Sequence, residues 1–147
     1  LRADSLPVSA ARKILGLDRI IGQSAHAVSE VIEAQREGAD FVVLGPIYDT
    51  PSKRSMGRPL GLSAIRSAVS RVSIPVFAIG GIRSERILEV IRCGGQGVAV
   101  ISALLQAPNP REAAEATLFE LKSLRSATTV SSVGGLRDTT IDRSWVR

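Results

Sequence analysis

The chain has 147 residues, 44% hydrophobic and 22% charged, a balance that reads as one globular unit rather than disorder. Its single cysteine, Cys93, excludes an internal disulfide and a multi-cysteine zinc site, and no apolar run approaches the roughly 18 residues needed to span a bilayer. The net charge of +5 admits nucleic acid or phosphorylated small molecules as partners, but only 3% of residues are aromatic and no nucleic-acid-binding motif stands out, which argues against nucleic acid.

In chain order, the first residue is Leu1 and the first strand is expected near Arg19. That suggests a piece cut from a longer protein. Residues 19–24 (RIIGQS) read as a strand, followed by a helix over about 27–37 that is apolar at Val28, Val31 and Ile32 and stopped by Gly38. FVVLGPI (41–47) is the second strand. A helix near 63–71 follows, with Ile65, Ala68, Val69 and Val72 at i, i+3, i+4 and i+7. PVFAIG (75–80) is the third strand, and Ser84 is the expected N-cap of a helix over 85–92. Gly94 and Gly95 end that helix, and GVAVIS (97–102) is the fourth strand. Asn109, Pro110 and Glu112 mark the start of a last helix running to about Leu124. Residues 126–147 are polar, lack helical periodicity and read as a disordered tail.

Continuous apolar strands alternating with helices predict a parallel α/β sheet. The unit spacing fits a (β/α)8 TIM barrel, which needs at least about 200 residues. Residues 1–125 are therefore expected to form its C-terminal half, strands five to eight. With no charged leader, apolar core and cleavage site, a cytoplasmic protein without a membrane partner is the expectation.

In such barrels the working groups sit at the carboxyl ends of the strands. Gly80-Gly81 and Ile101-Ser102, at the last two strand ends, together suggest a phosphate cradle, because glycine lets backbone N–H groups approach an anion and a following helical turn presents more of them. Thr50, Ser52 and Lys53 offer hydroxyls and a flexible cation for phosphoryl oxygens, with Arg54 and Arg58 nearby and Pro46, Pro51 and Pro59 stiffening the loop. Ser24 ends the first strand with His26 two residues on. No G-x-S-x-G elbow surrounds Ser24, and a lone histidine rules out a multi-histidine metal site.

The segments LPVSAARKILGLDRIIGQSAHAVSEVIEAQREGADFVVLGPIYDTPSK, PVFAIGGI and GGQGVAVISAL resemble, in collinear order over about residues 1–120, the C-terminal half of thiamine phosphate synthases. The G-P-I-Y-x-T-x-S-K segment is the most specific part. The resemblance implies a transferase on a (β/α)8 barrel, joining hydroxymethylpyrimidine diphosphate to thiazole phosphate with Mg²⁺ and releasing pyrophosphate. It further implies that Thr50, Pro51, Ser52, Gly81, Ile101 and Ser102 bind the thiazole phosphate, while Lys53 and Ser24 contact the diphosphate. The family's usual Mg²⁺ aspartate falls at Ser5 in RADSLP, leaving Asp4, one place earlier, as the candidate metal ligand. Ser5 and His26 also fit the thiazole tautomerase branch of the superfamily, where His26 would be the working group; the intact T-P-S-K segment favours the synthase. A non-catalytic phosphate binder is the third reading, and homo-oligomerisation stays open.

Overall fold

The structure is a computed structural model that describes residues 1–2, 4–50 and 57–131, with side chains described through Leu124. Four short strands, β1 (Gly22–Ala25), β2 (Phe41–Leu44), β3 (Val76–Ile79) and β4 (Gly97–Ala99), form one sheet in the order β1-β2-β3-β4, every pair parallel. Helices α1 (Val8–Leu15), α2 (Val28–Arg36), α3 (Gly61–Val69), α4 (Ser84–Arg92), α5 (Ser102–Leu105) and α6 (Pro110–Ser131) precede, connect and follow them. The expected parallel α/β organisation is therefore present.

The two faces of the sheet differ because side chains alternate along a strand. Val42, Leu44, Val76 and Ala78 are buried and join Val31, Ala34, Ile65, Ala68, Ile87 and Val90 of the helices in one core cluster. Phe41, Val43, Phe77 and Ile79, on the opposite face, are only half-buried. There the rings of Phe41 and Phe77 meet edge to face, 5.7 Å between centroids. Gly22 leaves room for this arrangement, since a Cβ on it would lie 2.2 Å from the Phe41 ring.

Helix boundaries follow local chemistry. Gly38, at φ 96°, closes α2 with its N–H on the Gln35 carbonyl while Ala39 N–H reaches Ala34, so the expected glycine stop is present. At the head of α6, Asn109 accepts the Glu112 N–H at 3.3 Å and donates to the Glu112 carboxylate at 2.7 Å, a reciprocal cap. α6 then runs to Ser131, into the stretch read as tail; residues 132–147 lie outside the described residues. Two other boundaries move. Ser84 is the first residue of α4 rather than its cap, which is Arg83 without a side-chain bond, and β1 begins at Gly22 rather than Arg19.

The cause of the second shift is Arg12, on α1. Its guanidinium donates to the carbonyls of Gly16, Arg19 and Gly38 and pairs with Asp40 at 2.6 Å. That uses the Arg19 carbonyl outside the sheet, while Asp40 also accepts the Ile21 N–H. α1 itself, absent from the sequence expectations, is seated through Val8 and Ala11.

Candidate active site

All four strands point the same way, so their carboxyl ends collect on one edge of the sheet. Register aligns Ala25 with Leu44 and Leu44 with Ala78, and the segments that follow each strand become neighbours.

The chain leaving β2 stays beside β3. Ile47 N–H donates to the Ile79 carbonyl at 2.9 Å and Tyr48 N–H to the Gly80 carbonyl at 3.1 Å. Pro46 and Ile47 carbonyls then accept from Leu60 and Gly61, drawing the far end of the loop back to its start. This packing has no room for side chains on β3's exit. Gly80 and Gly81 have φ of 95° and 64°, where other residues are strained. A Cβ on Gly81 would stand 2.6 Å from the Asp49 carbonyl oxygen and 2.8 Å from Tyr48 Cβ. The glycine pair is a steric requirement as well as an opportunity for an anion.

A cavity of about 500 Å³ opens beyond the pair, lined by Asp49, Thr50, Gly81, Arg83, Ser102 and Gln106, with Glu85 and Arg86 completing its wall. Thr50 is only 8% exposed. Thr50, Gly81 and Ser102, expected from three different loops to serve one phosphate, do line a common cavity. Arg83 and Arg86 supply cationic side chains there, balanced in part by Asp49 and Glu85. Sequence reasoning passed over all four; for three of them the signal was the R-S-E-R run (83–86) that opens the following helix, while Asp49 lies inside the G-P-I-Y-D-T stretch itself.

The remaining candidates are placed differently. Ile101 is 62% exposed and its carbonyl accepts the N–H groups of Leu104 and Leu105, so it starts α5 without its side chain lining the cavity. Ser24, half-buried on β1, donates its N–H to the Leu1 carbonyl. His26 is held at both ends: its N–H reaches Glu30 Oε2 at 2.7 Å, and Nδ1 lies 2.6 Å from the Gly45 carbonyl. A carbonyl only accepts, so Nδ1 carries the proton and Nε2 is the ring's other polar atom. Asp4 is exposed and both its carboxylate oxygens take bonds from Arg2 at 3.0 Å. Pro51, Ser52 and Lys53 lie outside the described residues.

Magnesium needs oxygen ligands, one or two of them carboxylates. Asp4 is already spent on a bidentate ion pair, and no group of three or more His, Cys, Asp or Glu side chains gathers among the described residues. No described helix is long and apolar enough to cross a membrane.

Fold and site together define a parallel α/β protein with a polar cavity where its strands end. Residues 1–104 match the family described as thiamine monophosphate synthase. The thiamine-phosphate synthase of Chlorobium phaeovibrioides is 48% identical over 122 residues, covering 83% of this chain and 58% of that protein. A putative thiamine-phosphate synthase of Geobacter sulfurreducens is 42% identical, covering 80% and 55%. Among solved structures, thiamine phosphate pyrophosphorylase from Pyrococcus furiosus superposes with a TM-score of 0.75 at 35% identity, covering 84% of this chain and 58% of that one. The chain belongs to the thiamine monophosphate synthase family. It spans little more than half the length of these relatives.

Proposed function

We propose that this chain supplies the thiazole-phosphate side of a thiamine phosphate synthase site, in a transferase that joins thiazole phosphate to hydroxymethylpyrimidine diphosphate and releases pyrophosphate. The observation that carries this reading is the convergence of Thr50, Gly81 and Ser102 on one cavity, in a chain whose relatives carry that name. A phosphate monoester in the cavity would take hydroxyl bonds from Thr50 and Ser102 and backbone bonds from the Gly81 turn, close to Arg83 and Arg86. Pro51 and Ser52 would extend the same wall, and Ile101 would contribute backbone at the head of α5. Fixing the phosphate orients the thiazole ring, so that its nitrogen meets the pyrimidine methylene in a set geometry. Lys53 and Ser24 would face the diphosphate. The lysine stabilises charge that develops on the departing pyrophosphate, an interaction stronger in the transition state than in the ground state.

Residues 1–125 would then be the C-terminal half of a (β/α)8 barrel. Three observations support this. The helices' core residues pack against one face of the sheet, as a barrel wall requires, and the other face is half-buried. Leu1 bonds to β1's outer edge in parallel fashion, its amino group on the Gly22 carbonyl and its carbonyl on Ser24 N–H. Apolar side chains are exposed on the segments that precede β1 and follow β4, Leu17 at 87% and Ile20 at 65% before β1, Leu105 at 76% and Phe119 at 74% after β4, surface that further barrel units would cover.

The second reading, thiazole tautomerase, rests on His26: with Nδ1 on the Gly45 carbonyl, Nε2 is left to accept or deliver a proton at the strand ends. Pyrophosphate release from the two substrates separates the readings. Lys53→Ala is expected to lower it by about 100-fold or more, the scale of a lost transition-state donor, and His26→Ala to leave it within about threefold, below the typical weight of general acid–base catalysis. No pyrophosphate release, together with an isomerisation of thiazole phosphate that His26→Ala abolishes and Lys53→Ala leaves intact, would overturn the synthase reading in favour of the tautomerase.

A further inference from the structure

The two peptide groups that form the Gly80–Ile82 turn are each held by their carbonyl. Gly80 O accepts the Tyr48 N–H at 3.1 Å, and Gly81 O accepts a charged hydrogen bond from Arg86 Nη1 at 2.6 Å. A trans peptide is planar, with N–H and C=O on opposite sides. Pinning each oxygen therefore turns the N–H of Gly81 and of Ile82 the other way. Among the described residues, neither N–H finds an acceptor. Two adjacent unspent N–H groups of this kind make an anion-binding nest.

Arg86 is itself fixed. Its guanidinium carbon lies 4.3 Å from the centroid of the Tyr48 ring, over its face. The Tyr48 hydroxyl is in turn held by Glu89, 2.5 Å from Oη to Oε2. Glu89 stands one helical turn beyond Arg86 on α4, so one helix face supplies both the cation on the ring and the carboxylate on its hydroxyl. Tyr48 belongs to the β2 loop, so this stack couples the two loops that flank the cavity.

We infer that Arg86 is a positioning residue for phosphate: by holding the Gly81 carbonyl, with Tyr48 and Glu89 holding Arg86, it keeps the Gly81 and Ile82 N–H groups open to a phosphate monoester dianion. This rests on the reading of the cavity as the thiazole-phosphate site and adds the device that shapes it. Arg86 contributes charge as well, since it lines the same cavity. Its guanidinium cannot be replaced without loss by an ammonium, which keeps a charged bond to the carbonyl but not the flat stacking on Tyr48.

The test is a titration of the isotope-labelled full chain, first with inorganic phosphate and then with thiazole phosphate, following the backbone amides of Gly81 and Ile82. Both amide signals are expected to move with one saturation curve. Arg86→Met should weaken inorganic phosphate by about tenfold, about 1.4 kcal/mol, and Arg86→Lys by about threefold, the partial rescue expected when charge is kept and stacking lost. A folded Arg86→Met chain that binds phosphate as tightly as the unaltered one would overturn the inference, as would saturation by phosphate without movement of either amide. If Arg86→Met does not fold, the Arg86→Lys comparison decides in the same way: an affinity equal to that of the unaltered chain overturns the inference. Failure of the functional reading looks different: thiazole phosphate would bind no better than inorganic phosphate while the Arg86 variants still weaken both.

Discussion

Tyr48 and Gly81 touch so closely that a methyl group on the glycine would sit 2.8 Å from the tyrosine Cβ. The loop after β2 and the turn after β3 are thus pressed together along their backbones, and the cavity wall is built from that contact. Gly81→Ala is expected to force the loops apart and to strain a φ of 64°. Gly38 offers a comparison, because its φ of 96° is similarly unfavourable for alanine but the nearest atom to an added Cβ, on the Arg12 side chain, is 3.7 Å away. Gly38→Ala should cost about 1 kcal/mol, the left-handed penalty alone, and Gly81→Ala at least about 1 kcal/mol more from overpacking. Urea unfolding of both variants checks the order; equal losses would contradict the close packing.

The single tyrosine of the chain makes Tyr48 directly observable. Burial raises its phenol, and the hydrogen bond and charge of Glu89 raise it further, to about 12 from the usual 10.0. Because the folded value is the higher one, the unfolded chain loses its proton first. The neutral phenol's contribution to stability is thus complete below about pH 10 and lost as the pH rises from about 10 to about 12. Phenolate absorbance of the folded chain should titrate near the upper value, and Glu89→Gln should lower the midpoint. A midpoint at the ordinary value in the unaltered chain would show that the Tyr48–Glu89 contact does not form.

Arg12 is a second point where one side chain organises several segments. With 13% of its side chain exposed, it satisfies three carbonyls and pairs with Asp40. Arg12→Ala leaves those acceptors and the carboxylate without their donor and is expected to cost about 3 kcal/mol. Arg111→Ala, which removes an exposed pair with Glu115, should cost less than about 1 kcal/mol. Chemical unfolding of the two variants tests the contrast.

Leu44 and Ile65 lie in the core, fully buried between the sheet and α3. Either residue changed to alanine should destabilise by about 3 kcal/mol, through lost burial and the cavity left behind. Val43→Ala, on the half-buried face, should cost about 1 kcal/mol, in line with its partial burial. Comparable losses at Leu44 and Val43 would mean that the second face is as tightly packed as the first.

The sheet was legible because its strands are compact apolar runs. Phe41–Leu44 and Val76–Ile79 stand where expected, and their helices carry the 3.6-residue stripe. The expected second strand ran on to Ile47, but the ladder stops at Leu44 because Gly45 and Pro46 intervene, even though Ile47 N–H still reaches the Ile79 carbonyl. α1 escaped notice because two buried residues, Val8 and Ala11, make a thin stripe, and much of its seating comes from Arg12, whose partners lie up to 28 positions away. The cavity's glycine, threonine and serine were readable as anion donors from residue type and strand-end position. The Tyr48–Arg86–Glu89 stack was not, since it joins the β2 loop to α4 across as many as 41 positions in sequence, through side chains that each have an ordinary surface reading.

The most direct measurement is calorimetric titration of the chain with thiazole phosphate and, separately, with the same thiazole bearing a free hydroxyl. If the Thr50–Gly81–Ser102 cavity holds the phosphate, the ester should bind at least about 100-fold more tightly than the alcohol, about 2.7 kcal/mol, and Gly81→Ala should abolish most of that difference. Equal affinities for ester and alcohol would contradict the account, because the cavity would then read the ring and not the anion.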